Sequence, residues 1–344
     1  MEGDKQALKQ LRKSGLMGHV DYVEPNYIYQ TLEVPNDPDY GKQWNLRAIA
    51  MESAWDESKG EGVTVAVIDT GVTRVPDLRK TQFVSGYNFV DDNRDTSDSQ
   101  GHGTHVAGTI AQATNNEYGV AGIAYQAKIM PLKVLGEGGG GTVADIAEAI
   151  MYAADNGATV INMSLGGGGE SKTLGDAIDY AYDKGVVIIA AAGNEGQNAA
   201  AYPGRYPKVI SVAATDATGN KASYSNFGAG VDIAAPGGSL DGKDGKILQE
   251  TIDPDTREPV LMGMQGTSMA APHVAGTAAL IQSMQLQQAK VGLSEGQASR
   301  LTVAEVSNPE DVLKILKGSA RSVGDDALNY YGACLLYTSP SPRD

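Results

Sequence analysis

A single cysteine, Cys334, occurs in 344 residues, so no disulfide can close within the chain. Positive charge is scarce as well. Against 42 aspartates and glutamates there are 27 lysines and arginines, a net charge of −15. That sign argues against nucleic acid and against an anionic membrane as partners. No apolar run approaches the roughly 18–20 residues of a membrane-spanning helix. The opening Met1-Glu2-Gly3-Asp4-Lys5 is not a signal peptide. What remains is globular in character: 41% hydrophobic and 20% charged residues, with 43 glycines that imply many tight loops. The length holds one large domain or two small ones, with ample core and no need of covalent staples.

From residue 63 onward strand and helix patterns alternate. Val63–Ile68 is a continuous β-branched run of buried-strand type, ending at Asp69-Thr70-Gly71. Strands are predicted at Ile129–Leu135, Ala158–Ser164, Val186–Ala192, Val209–Ala213 and Val231–Ala235. Helices are predicted at Thr142–Asn156 and Lys172–Lys184, with a last one from Pro309 to Leu316. This rhythm gives the fold class: α/β, three layers, a mostly parallel central sheet with helices on both faces. Residues 87–101 read as an acidic loop, residues 237–262 as a polar, turn-rich excursion, and residues 284–308 as a Gln- and Ser-rich surface insertion. Gly136–Gly141 follows a strand but lacks the Lys-Ser/Thr of a phosphate loop. Bare backbone there could instead pair with an extended peptide.

Three stretches carry chemistry. Gly266-Thr267-Ser268-Met269-Ala270 opens a run that is apolar almost all round, so the serine stands on the first turn of a buried helix. Free backbone N–H groups at such a turn can stabilise negative charge. His102-Gly103-Thr104-His105-Val106-Ala107-Gly108 is a second small-residue helix start. Its two histidines, three apart, lack the third ligand and the spacing of a zinc helix. Asp69 ends a central strand, where α/β sheets place their chemistry. A serine hydroxyl needs a neighbouring base, and that histidine needs a buried carboxylate to fix its tautomer. No second Asp-Thr/Ser-Gly exists for an aspartic protease. His105 and His273 follow the motifs and are expected to be structural.

In this order, Asp69, His102, Ser268, the three motifs resemble those of the subtilisin-like serine proteases, the subtilases. Ala190-Ala191-Ala192-Gly193-Asn194-Glu195-Gly196 is similar to that family's oxyanion segment. The resemblance implies a secreted, monomeric serine endopeptidase acting on proteins or peptides, with Asp69, His102 and Ser268 as triad and Asn194 in the oxyanion hole. It further implies substrate between Gly138-Gly139-Gly140 and Ser164-Leu165-Gly166, and an S1 pocket walled by Ser164-Leu165-Gly166 and Ala191-Ala192-Gly193, with Ala201 near its base. Its thermitase-like detail implies a structural Ca²⁺ held by the side chains of Asp37, Asp77 and Asn116 and the carbonyls of Ala113, Tyr118 and Val120, all oxygen. A weaker second site could involve Asp91, Asn93 and Asp95.

Residues 1–34 are similar to the end of a subtilase propeptide, an intramolecular inhibitor, with maturation cleavage expected within Tyr29–Pro35. The peptidase domain is expected over 35–333. Residues 334–344 depart from the family pattern and read as a non-native tail. The other function class is a catalytically silent binding module on the same fold; intact catalytic positions favour the enzyme.

Overall fold

The computed structural model describes residues 34–240 and 245–321. The chain divides into two units, Met1–Leu32 and Glu33–Asp344, and all described residues belong to the second. The expected propeptide remnant and its cleavage point up to Glu33, as well as the tail with Cys334, lie outside the described residues.

Two short helices, Trp44–Ala48 and Met51–Glu57, precede the first strand, β1 (Thr64–Asp69). Two brief edge strands follow, β2 (Gln82–Phe83) and β3 (Tyr87–Asn88). Then helices and strands alternate: α1 (His102–Ala111), β4 (Lys128–Lys133), α2 (Val143–Asp155), β5 (Val160–Met163), α3 (Lys172–Asp183) and β6 (Val187–Ala191). β7 (Ile210–Thr215) and β8 (Ile233–Pro236) complete the sheet. A hairpin, β9 (Ile247–Ile252) and β10 (Pro259–Met264), leads into α4 (Thr267–Lys290) and a final helix, α5 (Pro309–Ser319).

The sheet runs β2-β4-β1-β5-β6-β7-β8, with β3 also on β4, and its pairings are parallel. Alternation along β1 explains the three layers. Val65 and Val67 enter a core shared with α1 and α4, whereas Ala66 and Ile68 enter a second core under α2 and α3. The α/β three-layer fold expected from the sequence is the fold observed. Helix starts are capped as their sequences indicate: Thr142 accepts from Asp145 N–H, Ser171 from Leu174 N–H and Asn308 from Asp311 N–H.

Two expectations need correction. Residues 237–262 are not all irregular, because β9 and β10 form an antiparallel hairpin within and beyond them. Its β9 strand hides three polar residues, Gln249, Glu250 and Thr251, all buried, and that defeats a reading by hydrophobic alternation. The expected insertion at 284–308 begins as the end of α4, which continues to Lys290. Beyond it the segment folds into a pair of one-turn helices, Glu295–Ala298 and Val303–Val306.

β1 has β4 on one side and β5 on the other. The chain therefore reverses its direction of sheet-building at β1, and such a switch point opens a crevice at the carboxyl ends of the strands. Asp69 sits there.

Candidate active site

The buried carboxylate of Asp69 ends β1 and faces the first residue of α1. Asp69 Oδ1 accepts from its neighbour Thr70 N–H at 2.7 Å and from His102 Nδ1 at 2.7 Å. The approach requires a glycine at 103: a Cβ there would collide with the Gly71 carbonyl and press on Asp69. Asp98 caps the same helix, its two oxygens accepting from Gln100, Gly101 and Thr104 N–H and from Thr104 Oγ1. Burial pulls the His102 ring downward in pKa, but the charge and hydrogen bond of Asp69, joined by the charge of Asp98, outweigh it and raise it above its ordinary value. The ring keeps 23% of its surface exposed, enough to meet a substrate.

Ser268 lies one residue into α4. Pro272 stands four residues on and has no N–H to give to the Ser268 carbonyl. The hydroxyl of Ser164 takes that carbonyl instead, at 2.8 Å. In return the Ser268 hydroxyl donates to the Ser164 carbonyl at 3.1 Å. In this conformation the serine proton is therefore directed at Ser164 and not at the imidazole. Ser164 and His102 both line one cleft of about 430 Å³. Ser164 thus links Ser268 to the cleft that His102 lines with Asp69 behind it.

Asn194 follows β6 in an exposed loop. Its Oδ1 accepts from Thr267 N–H at 2.8 Å and from Thr267 Oγ1 at 3.0 Å. With its oxygen held, the amide places its Nδ2 beside Gly266 at the start of α4. Two contributors lie outside the residues expected from sequence: Thr267, and Gln100, which lines the cleft and accepts from His102 N–H. Thr267 is legible only as the residue before the serine. Gln100 has no signal beyond its place before the histidine motif.

Of the expected substrate contacts, Gly139, Gly140, Ser164, Leu165 and Gly166 line the cleft. Gly138 does not line it, and neither do Ala191, Ala192, Gly193 and Ala201. The last of these packs against positions 166 and 193. Gly167, Gly168, Gly169 and Tyr202 extend the wall beyond the stretch expected.

Asp37 and Asp77 are buried against the loop that follows α1. Burial pushes Asp37 up in pKa and Asp77 up to about 7, with Glu250 and Asp37 adding repulsion to Asp77. Asp37 Oδ1 has no partner, and none of the described residues donates to the carbonyls of Ala113, Tyr118 or Val120. Two costly carboxylates, an orphaned oxygen and unclaimed carbonyls make a donor set that suits a hard cation. Asn116 donates Nδ2 to Asp77 Oδ1 while its own oxygen accepts from Tyr118 N–H, so the amide must turn over to serve as a ligand. Among the described residues no three of His, Cys, Asp and Glu cluster as ligands, so any cation here leans on main-chain oxygen. Asn93 and Asp95 lie in an exposed loop and accept from loop N–H groups, while Asp91 accepts from Asn88.

His105 and His273 are buried and pulled down to about 4 by that burial. His105 Nε2 meets the carbonyls of Ile247 and Met262, bridging the hairpin.

The profile of the subtilase family matches residues 60–330. A thermophilic serine proteinase of Bacillus sp. strain AK1 is 43% identical over 267 residues, 77% of this chain and 63% of that protein. Thermitase of Thermoactinomyces vulgaris is 43% identical over 251 residues, 72% of this chain and 85% of thermitase. A solved protease of Pseudoalteromonas arctica superposes with a TM-score of 0.76 at 35% identity, covering 89% of this chain and 97% of that one.

Proposed function

We propose, from the premise that this chain belongs to the subtilase family, that it is a serine endopeptidase working through Asp69, His102 and Ser268. The observation that carries the reading is the 2.7 Å hydrogen bond from His102 to a fully buried Asp69, at the lip of a cleft whose wall residue Ser164 binds Ser268 twice.

Ser268 Oγ turns from the Ser164 carbonyl and attacks the substrate carbonyl carbon. His102 takes the hydroxyl proton on Nε2 and passes it to the leaving amine; water then repeats the cycle on the acyl-enzyme. Asp69 stays ionised, fixes the tautomer with Nδ1 protonated and stabilises the imidazolium. The oxyanion is received by Asn194 Nδ2 and the Ser268 N–H at the N-terminus of α4. Substrate adds as a strand between Gly139-Gly140 and Ser164-Leu165-Gly166, where bare backbone offers hydrogen bonds and small walls leave room for an apolar P1 side chain.

Ca²⁺ bound by Asp37, Asp77, Asn116 and the three carbonyls would neutralise buried negative charge and pin the loop after α1. Secretion, action as a monomer and inhibition by the residues before the domain complete the reading. No helix among the described residues is long and apolar enough to cross a membrane. The test is a fluorophosphonate label. Stoichiometric reaction at Ser268 of the folded chain, lost in Ser268→Ala, supports the enzyme; a folded chain that stays unlabelled and leaves casein intact would indicate the silent binding module.

A further inference from the structure

Asn226 lies in the loop between β7 and β8, outside every motif above, and is 2% exposed. Its side chain makes four hydrogen bonds, and all of them reach one short segment. Oδ1 accepts from Gln197 N–H at 2.8 Å and from Glu195 N–H at 3.2 Å. Nδ2 donates to the Ala192 carbonyl at 3.0 Å and to Glu195 Oε2 at 2.8 Å. Its backbone N–H adds a fifth bond, to the Gly193 carbonyl at 3.0 Å. A buried carboxamide has two donors and two acceptor sites, and here each is spent on residues flanking Asn194. The fit is close enough that position 193 must be glycine: its φ is +106°, and a Cβ would collide with Asn226 Nδ2.

Asn194 is thereby held from two sides. Thr267 fixes its side-chain oxygen, and Asn226 fixes the backbone before and after it. We propose that Asn226 is a positioning residue for the oxyanion donor, acting on catalysis through Asn194 without touching substrate. The inference rests on the reading of Asn194 as that donor. The physical ground is preorganisation. A donor stabilises developing charge only where it already stands, and displacement by about 1 Å can cost on the order of a hundredfold in rate. Asn194 itself is exposed, in a loop that follows the strand, so the place of its main chain depends on what holds its neighbours. Glu195 is caught in the same net, its Oε2 engaged by Asn226, which fixes a negative charge beside Gly193.

The experiment is a double-mutant cycle of Asn226→Ala and Asn194→Ala on the whole chain. It is read with a peptide p-nitroanilide carrying phenylalanine at P1, so that the charge of Glu195 plays no part in binding it. Asn226→Ala is expected to lower kcat about tenfold with KM within about twofold, and to weaken a peptide boronic acid, which mimics the tetrahedral state, by the same factor. In the Asn194→Ala background the further loss should shrink to under about twofold. Equal losses in both backgrounds, or a change in KM alone, would overturn the proposal. A normal kcat for Asn194→Ala would instead overturn the oxyanion reading and the inference with it. Should Asn226→Ala not fold, Asn226→Asp keeps the shape and both acceptor contacts but sets a carboxylate oxygen against Glu195 and the Ala192 carbonyl. A tenfold loss in kcat that is recovered in part by adding Glu195→Gln, whose amide can donate to Asp, is the expected result. An Asn226→Asp variant with parental kcat would refute the proposal.

Discussion

His273 offers a quantitative test of how α4 is built. It is fully buried five residues beyond the serine. Its Nδ1 meets the Met269 carbonyl at 2.8 Å, and its Nε2 meets Asn45 Nδ2 at 2.8 Å. The first contact requires a proton on Nδ1 and the second requires Nε2 bare, so the folded ring is neutral. Burial lowers its pKa from the ordinary 6.5 to about 4. In the unfolded chain the ring takes a proton below about pH 6.5; in the folded chain it does so only below about pH 4. Between those limits the unfolded state binds more protons, so stability falls as pH falls and is flat on either side. The loss amounts to about 2 kcal/mol between roughly pH 7 and roughly pH 5, and about 3 kcal/mol below pH 4. The perturbation is His273→Gln, compared with its parent in a Ser268→Ala background that prevents self-digestion. Urea unfolding followed by the fluorescence of Trp44 and Trp55 gives stability at each pH. The variant loses stability at neutral pH, by about 1–2 kcal/mol for the buried hydrogen bonds. Its pH dependence, however, should be shallower than the parent's by the 2 kcal/mol just worked out. Contributions of His102 and Asp77 are common to both and cancel, and that of His105 differs only where His273 is charged, below about pH 4. Parallel stability curves for the two proteins would refute the reasoning.

Other expectations follow from the same contacts. Asn194→Ala should lower kcat by about 10²–10³ with little change in KM, measured on a peptide anilide. Against the pull of burial, the Asp69 carboxylate raises His102, so the acid limb of kcat/KM should lie above the pH of an ordinary imidazole; Asp69→Asn should shift it down and lower kcat by about 10⁴. Gly103→Ala should abolish most activity while the chain still folds, because the new methyl group drives α1 off Asp69; circular dichroism and the fluorophosphonate label separate the two effects. A chelator should lower the thermal midpoint by about 3–5 °C, the consequence of about 2–3 kcal/mol of cation binding at a hundredfold excess over Kd. An unchanged midpoint would refute the Asp37–Asp77 cation site.

The sheet was legible because β1, β5 and β6 are nearly unbroken apolar runs, and parallel strands buried on both faces have that character. The order of Asp69, His102 and Ser268 along the chain was legible too, each at a strand end or a helix start. The hairpin was not, because Gln249, Glu250 and Thr251 are buried and interrupt any alternation. The supports of the site were equally hidden. Pro272 looks like a helix fault until its missing N–H is seen to free the Ser268 carbonyl for Ser164. Asn226 sits in an ordinary loop sequence, and its partners lie 29–34 residues away, beyond the reach of any local pattern.

The hairpin has a mechanical consequence. Successive residues of a strand point in opposite directions. Glu250 reaches toward Asp77 and the loop after α1, where its carboxylate accepts from Asp77 N–H and Tyr118 Oη. Its neighbour Thr251 donates its hydroxyl to the Gly101 carbonyl, immediately before His102. A single peptide unit thus yokes the acidic pocket of Asp37 and Asp77 to the foot of the imidazole, like two handles on one lever. Loosening of that pocket by heat should be transmitted to His102 long before the sheet itself gives way.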